Sequence, residues 1–318
     1  MFKSVSKKST FRYFYNTNCF KRFSEFSQQQ KTSTYIRSIF DMEKTTTYKI
    51  NHDFVLTTKE KSLFDLLMKM LQEKNMQLTL RVAGGWVRDK LVGKESHDID
   101  IALDTMMGGE FAKLVSDYIK EKGLATSKGF GVVKANPDKS KHLETATINI
   151  DGDWIDFVNL RKEDYTEDSR FPSIQIGTPE EDAFRRDLTI NALFYNINES
   201  KVEDFTKKGL DDLKNGLIRT PIDPLKTFLD DPLRILRTFR FAARFNFNIV
   251  DEIFEAIKNE EIQKIFTKKI SKERVGQEFK SSFTRAGSIG FLQMLEDCKF
   301  LKFVFYNEIM DLKVLDSE

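Results

Sequence analysis

Between Phe54 and Gln72, in the stretch TTKEKSLFDLLMKMLQEK, apolar positions recur at helical spacing, and the threonines at its start suit an N-cap. LTLRVAGG is a short apolar run closed by two glycines, the signature of a strand entering a tight turn. WVRDKLVGK predicts a short helix ending near Gly93, and the strict alternation of HDIDIAL predicts a second strand. Residues 109–122 return to helical spacing. KHLETATINI and DWIDFVNL flank Asp151-Gly152, a dipeptide suited to a type I′ turn, so the pair reads as a hairpin. From about Asp182 helical patterns dominate, and a mainly helical second unit is expected from near residue 200. The class is α+β: a small mixed sheet with helices against it, without internal repeats or a low-complexity linker.

Composition narrows the function classes. At 318 residues the chain can hold two domains, and its 29 Phe predict aromatic cores. No run of about 18 apolar residues occurs, so no membrane-spanning helix is expected. Cys19 and Cys298 are the only cysteines, and His52, His97 and His142 lie far apart, which argues against a disulfide framework and against a structural zinc site.

The net charge of +2 conceals an asymmetry. Eight Lys and Arg against Glu25 alone give residues 1–40 a charge of +7, leaving the rest formally −5. Any nucleic-acid contact by the body must therefore use a local basic face. The segment 1–41 is rich in Ser, Thr, basic residues and Phe, which matches a mitochondrial transit peptide; a disordered basic tail that binds RNA has the same composition. Met42 follows it, and a start there gives a form without the leader, so mitochondrial placement is expected with a second cytoplasmic or nuclear form.

The chemistry centres on Asp98 and Asp100. Residues i and i+2 of a strand project from one face, so both carboxylates can share a divalent cation while Ile99 and Ile101 bury the other face. Hard oxygen ligands on rigid backbone suit Mg²⁺, and two such ions serve phosphoryl transfer. A solvated strand face produces the same pair. Gly84-Gly85, at a strand end upstream, allow backbone N–H groups to approach a triphosphate, and Arg88 can pair with a phosphate; a plain Gly-Gly turn is the alternative. Asp156, set among Trp154, Ile155, Phe157 and Val158, is either a third carboxylate of this site or a structural Asp satisfied by hydrogen bonds.

The helix DPLRILRTFRFAARF sorts its residues by face. At about 100° per residue, Arg234, Arg237, Arg240 and Arg244 share an arc of roughly 120°, and Ile235, Leu236, Phe239, Ala242 and Ala243 occupy another. Four clustered arginines repel one another unless anions neutralise them, which makes phosphate or RNA one natural partner and nearby protein carboxylates the other. Asp231, before Pro232, also suits a plain N-cap.

Together RVAGGWVRDKLVGKESHDIDIAL, EEDAFRRDLTINALFYN, DDPLRILRTFRFAARF and ISKERVGQEF, spread over roughly residues 55–310, resemble the class II tRNA nucleotidyltransferases, the CCA-adding enzymes of the polymerase β superfamily, in their eukaryotic form. The resemblance implies a polymerase-β-like nucleotidyltransferase head with a mixed sheet over residues 55–200 and an all-helical neck over 201–318. It implies that Asp98 and Asp100 bind Mg²⁺, and that Gly85, with Gly84 next to it, and Arg88 lie at the incoming nucleotide. It also implies that Arg186 contacts that nucleotide, Asp187 holds its ribose, Asp231 and Arg234 read the base edge, and Arg237 and Arg240 add nucleotide contacts. CTP and ATP would be the substrates and the tRNA 3′ end the acceptor. Cytosine and adenine each offer an amine beside an acceptor; uracil and guanine would leave the Asp–Arg pair unsatisfied, at about 1–3 kcal/mol per group.

Residues 105–142 would hold a mobile loop hinged at Gly108, Gly109, Gly123, Gly129 and Gly131, with KANPDKSKH either touching RNA or solvated. Family members continue into body and tail domains that grip the tRNA elbow, so a truncated product, or a second protein supplying that grip, is expected for a chain ending at Glu318. Addition of only CC or only A, poly(A)-polymerase-like activity, and an inactive RNA-binding remnant are the other readings.

Overall fold

The computed structural model describes residues 46–96, 98–124, 130–133, 145–164, 173–284 and 286–305. The leader, His97, His142, Gly129 and the run KANPDKSKH lie outside the described residues.

Helix α1 (Thr58–Glu73) opens on the anticipated cap. The Thr57 hydroxyl accepts from the Glu60 N–H while the Glu60 carboxylate accepts from the Thr57 N–H, a capping box. Strand β1 (Leu80–Ala83) runs into α2 (Gly85–Leu91) through Gly84. Strand β2 (Ile99–Leu103) follows, then α3 (Gly108–Glu121), in whose first turn Gly108 and Gly109 sit. Strand β3 (Phe130–Val133) takes in Gly131, and β4 (Thr145–Ile150) and β5 (Asp153–Asn159) flank the predicted turn. Asp151 and Gly152 both have positive φ, 51° and 89°, as a type I′ hairpin requires. Strands β6 (Arg161–Asp164) and β7 (Ser173–Ile176) form a separate ribbon that leads to α4 (Pro179–Phe184). A 3₁₀ turn (Thr189–Asn191) precedes β8 (Phe194–Asn196) and β9 (Lys201–Glu203).

The main sheet has seven strands in the order β3-β4-β5-β2-β1-β8-β9. Only β2 and β5 run parallel, which makes the sheet mixed. The alternation read from HDIDIAL has a direct consequence: Ile99, Ile101, Ile155 and Phe157 face the core, where Phe157 meets Phe111 of α3 edge-on at 4.9 Å. The opposite face carries Ala83, Ala102 and Asp100, small or polar residues that leave room for a cleft.

Beyond the sheet the chain is helical apart from a two-residue parallel ladder between β10 (Leu217–Ile218) and β11 (Asn248–Ile249). The helices are α5 (Gly209–Asn215), α6 (Pro224–Asp230), α7 (Leu233–Phe245), α8 (Asp251–Ile257), α9 (Glu260–Lys269), α10 (Lys272–Phe283), α11 (Ser288–Asp297) and α12 (Leu301–Val304). One hydrophobic core runs from Leu67 and Trp86 under the sheet through Leu236 and Phe239 to Phe266 and Phe291. The sheet and the helices that follow it are therefore held by continuous apolar burial.

Candidate active site

A cleft of about 600 Å³ opens between the sheet and α7, and all but one of the residues singled out from the sequence line it. Gly84, Gly85, Arg88, Asp98, Asp100, Arg186, Asp187, Asp231, Arg234, Arg237 and Arg240 are on its walls. Asp156 is not. The parallel register sets Asp156 beside Asp100, and its carboxylate accepts from the Thr147 hydroxyl on β4.

Asp98, just ahead of β2, is exposed, and Asp100 is half-buried. Burial pushes the Asp100 carboxyl up to about 6, and the charges of Asp98 and Asp156 push the same way. Mutual repulsion of this kind is relieved by a cation shared between carboxylates, so the donor set fits a hard divalent ion. Among the described residues no group of three or more His, Cys, Asp or Glu side chains stands in metal-holding geometry, so a cation here would take protein oxygens from the Asp98–Asp100 pair and keep other positions for water or phosphate.

Gly84 has a φ of +73°, and a Cβ there would sit 2.8 Å from the Arg186 Nη1 atom. Glycine is required on both counts. Its N–H donates to the Leu193 carbonyl at 2.9 Å, and its carbonyl accepts from the Arg88 N–H at 3.1 Å. The phosphate contact expected of its N–H is thus already taken by the sheet, and what Gly84 provides is close passage for Arg186. Arg186 is clamped by Asp182 through Nε (2.9 Å) and Nη2 (2.7 Å) and lies over the Phe194 ring.

The arginine face of α7 meets protein carboxylates rather than solvent. Arg237 donates to Asp187 at 2.7 Å, and Arg240 to Glu278 of α10 at 2.6 Å. Arg234 lies 3.7 Å from Glu163, and Arg244 3.7 Å from Asp89. Of the two neutralisers open to this stripe, nearby protein carboxylates are present on every arginine. Even so, the cleft is lined by nine arginines against six carboxylates, a cationic surplus that suits a polyanion. Phe241 lies beneath three of these guanidinium groups, with Arg240, Arg88 and Arg237 at 4.3, 5.2 and 5.7 Å from its ring centre. Arg88 is further fixed by Asp89 and Asn191.

Burial alone would raise the Asp187 carboxyl, but Arg237 and the Asn191 amide outweigh it and hold it down at about 2. Asp231 accepts the Leu233 N–H at 3.2 Å from one place ahead of the N-cap position, which Pro232 occupies, and is gripped by the Arg274 fork at 2.7 and 3.3 Å. Arg274, Asp182, Glu163 and Asn191 were not singled out from the sequence. Asp182 was legible, three and four residues ahead of Arg185 and Arg186 on one helix turn. Glu163 and Arg274 come from distant segments with no local signal.

The comparisons agree with this geometry. The family model described as the poly A polymerase head domain matches residues 80–219. The mitochondrial CCA tRNA nucleotidyltransferase of Saccharomyces cerevisiae is 45% identical over 283 residues, covering 88% of this chain and 52% of that protein. Its Candida glabrata counterpart is 49% identical over 250 residues, 76% of this chain and 47% of that one. Among solved structures, a Thermotoga maritima CCA-adding enzyme complexed with tRNA superposes with a TM-score of 0.59 at 29% identity, covering 82% of this chain and 57% of that one. CCA-adding enzyme complexes with ATP and with CTP give 0.62 and 0.60 at 28% and 27% identity, each covering 82% of this chain and 56% of the other. The chain spans about half the length of the curated relatives it matches.

Proposed function

The chain belongs to the family of nucleotidyltransferases that carry the poly A polymerase head domain, and on that premise we propose that it adds C and A to the 3′ end of tRNA from CTP and ATP without a nucleic-acid template. Residues 55–200 form the catalytic head in this reading, and residues 201–318 the neck that selects the nucleotide. The observation that carries it is the single cleft in which the Asp98–Asp100 pair faces the arginines of α7.

Asp98 and Asp100 would hold Mg²⁺, with Asp156 behind them. When bound, the ion supplies charge stabilisation to the transferring phosphoryl group. Arg186 and Arg88, fixed by Asp182 and Asn191, present preorganised positive charge to the triphosphate alongside Gly84 and Gly85. Asp187 holds the ribose, and Arg237 and Arg240 add contacts. The tRNA 3′ hydroxyl attacks the α-phosphorus, a new P–O bond forms, the α–β bridge breaks and pyrophosphate leaves. The Asp231 carboxylate accepts from the exocyclic amine of cytosine or adenine, and Arg234 donates to the adjacent ring acceptor. Arg274, itself on the cleft wall, holds the Asp231 carboxylate through its guanidinium fork, so its orientation is set before the base arrives.

The basic leader and the names of the yeast relatives support mitochondrial placement, with a second form starting at Met42.

The test is a tRNA transcript ending at its discriminator base, incubated with the purified chain, Mg²⁺ and each nucleotide singly and together. Growth by CCA followed by arrest is expected. Arrest at CC, or A addition only to a CC end, marks a partial enzyme; continued A addition marks a poly(A)-polymerase-like one. No growth overturns the proposal.

A further inference from the structure

Trp154 stands 57% exposed in a chain whose only other tryptophan, Trp86, is buried. It precedes Asp156 by two residues on β5, and side chains two apart on a strand share a face. The register that sets Asp156 beside Asp100 carries Trp154 to the end of that face at which Asp98 enters β2. The indole therefore sits in line with the carboxylate pair, on the side of the sheet that bears the cleft. Further along this face the apolar side chains, Ala83, Ala102 and Phe194 among them, are buried in a cluster of their own. Among the described residues no aromatic ring stacks on Trp154, and neighbouring Asp153 is bound by Lys59 in an exposed ion pair at 2.9 Å. Leaving a large apolar ring in water is unfavourable for the free protein.

We propose that Trp154 is the platform on which the terminal base of the acceptor RNA stacks. This rests on the reading above, in which an RNA 3′ end is the nucleophile. The attacking hydroxyl must reach the atoms held by Asp98 and Asp100, so the base that carries it lies against the wall beside them. Every base has a π-face, so a stacking platform accepts the discriminator base and each added C in turn without selecting among them. The triphosphate is held by the arginines that line the cleft, and Trp154 stands outside that lining, so the indole acts on the acceptor alone.

Because Trp86 is buried, Trp154 is the indole that a collisional quencher reaches, and its emission reports its surroundings directly. The full chain is titrated with a tRNA transcript ending at the discriminator base, and emission and acrylamide quenching are followed while filter binding measures occupancy. RNA binding should change the emission and shield the indole from acrylamide. Trp154→Ala should raise KM for tRNA roughly 5- to 100-fold, with KM for CTP unchanged within about twofold, and Trp154→Phe should restore most of the loss. An indole shielded before RNA is added, emission unmoved at saturating tRNA, or a Trp154→Ala chain with unchanged KM for tRNA each overturns the proposal. A chain that adds no nucleotide sinks the functional reading instead, and the fluorescence titration still decides the stacking; failure to bind tRNA at all sinks both.

Discussion

Asp98 and Gly84 contribute to the cleft in different ways, and their substitutions should separate chemistry from architecture. Asp98 is exposed and makes no contribution to the core, so Asp98→Ala should leave stability within about 0.5 kcal/mol. If the carboxylate holds the catalytic ion, its loss removes several kcal/mol of charge stabilisation, and nucleotide addition should fall roughly a thousandfold or more. Addition that survives at a tenth of the original rate would sink the metal assignment. Gly84 is the reverse case. An alanine there meets both the unfavourable φ of +73° and the Arg186 Nη1 atom 2.8 Å away. Gly84→Ala should cost about 1–2 kcal/mol in urea unfolding and also raise KM for CTP, because the displaced guanidinium faces the triphosphate. A variant as stable as the parent would show that the turn relaxes freely. At this scale the sequence was informative where backbone geometry alone decides: the i and i+2 pair and the Asp-Gly turn carry their meaning locally, whereas Gly84 makes room for Arg186, which its own neighbours do not announce. Asp156 shows the limit, since its neighbours in sequence do not say whether its carboxylate faces a cleft or a threonine hydroxyl.

Between elements, the ion pairs that join α7 to its surroundings decide how the cleft is preorganised. Helix α10 supplies Arg274 to Asp231 and Glu278 to Arg240, so one helix holds two residues of the candidate nucleotide-reading face. Arg274→Ala should free the Asp231 carboxylate to rotate. Addition of C and A should persist, while discrimination against UTP and GTP falls by about 10- to 100-fold, the equivalent of one mispositioned polar partner. Unchanged nucleotide selectivity in a competition assay would exclude this positioning role, and Arg234→Ala should blur the choice further still. Asp187 and Arg237 join the segment after α4 to α7. The Asp187 carboxyl is held at about 2, below its ordinary 3.8, so it contributes stability above pH 4 that fades as pH falls toward 2. Asp187→Asn removes that dependence, and between pH 5 and 3 its unfolding free energy should fall by about 1 kcal/mol less than that of the parent. Parallel pH profiles would mean that the pair is exposed in solution. None of these partners was legible beforehand: the arginine stripe repeats on one helix, but its acids come from α2, α10, β6 and the turn after α4, which only folding brings together.

At the level of the whole molecule, the order of the seven strands was beyond local reading, because β1 pairs with β8 and β2 with β5 across long separations, whereas the existence of most of those strands was not. The same long-range pairing determines how metal removal should act. The core passes without interruption from α1 and the sheet into α7, α9 and α11, and the Asp98–Asp100 pair lies outside it on the cleft face. Apolar burial is therefore sufficient to hold the body together, and the carboxylate pair weakens the fold slightly by its own repulsion. Folding should then be independent of the ion while chemistry depends on it. In excess chelator, nucleotide addition should fall to background and return on adding Mg²⁺, while the thermal midpoint moves by no more than about 2 °C, the shift expected from losing a weakly bound ligand at a surface site. A large fall in midpoint would make the ion structural and would require ligands buried between elements, which the geometry of the described residues does not provide. Undiminished addition in chelator would leave the Asp98–Asp100 pair without its proposed role, and the arginines of the cleft would then have to stabilise the transferring phosphoryl group unaided.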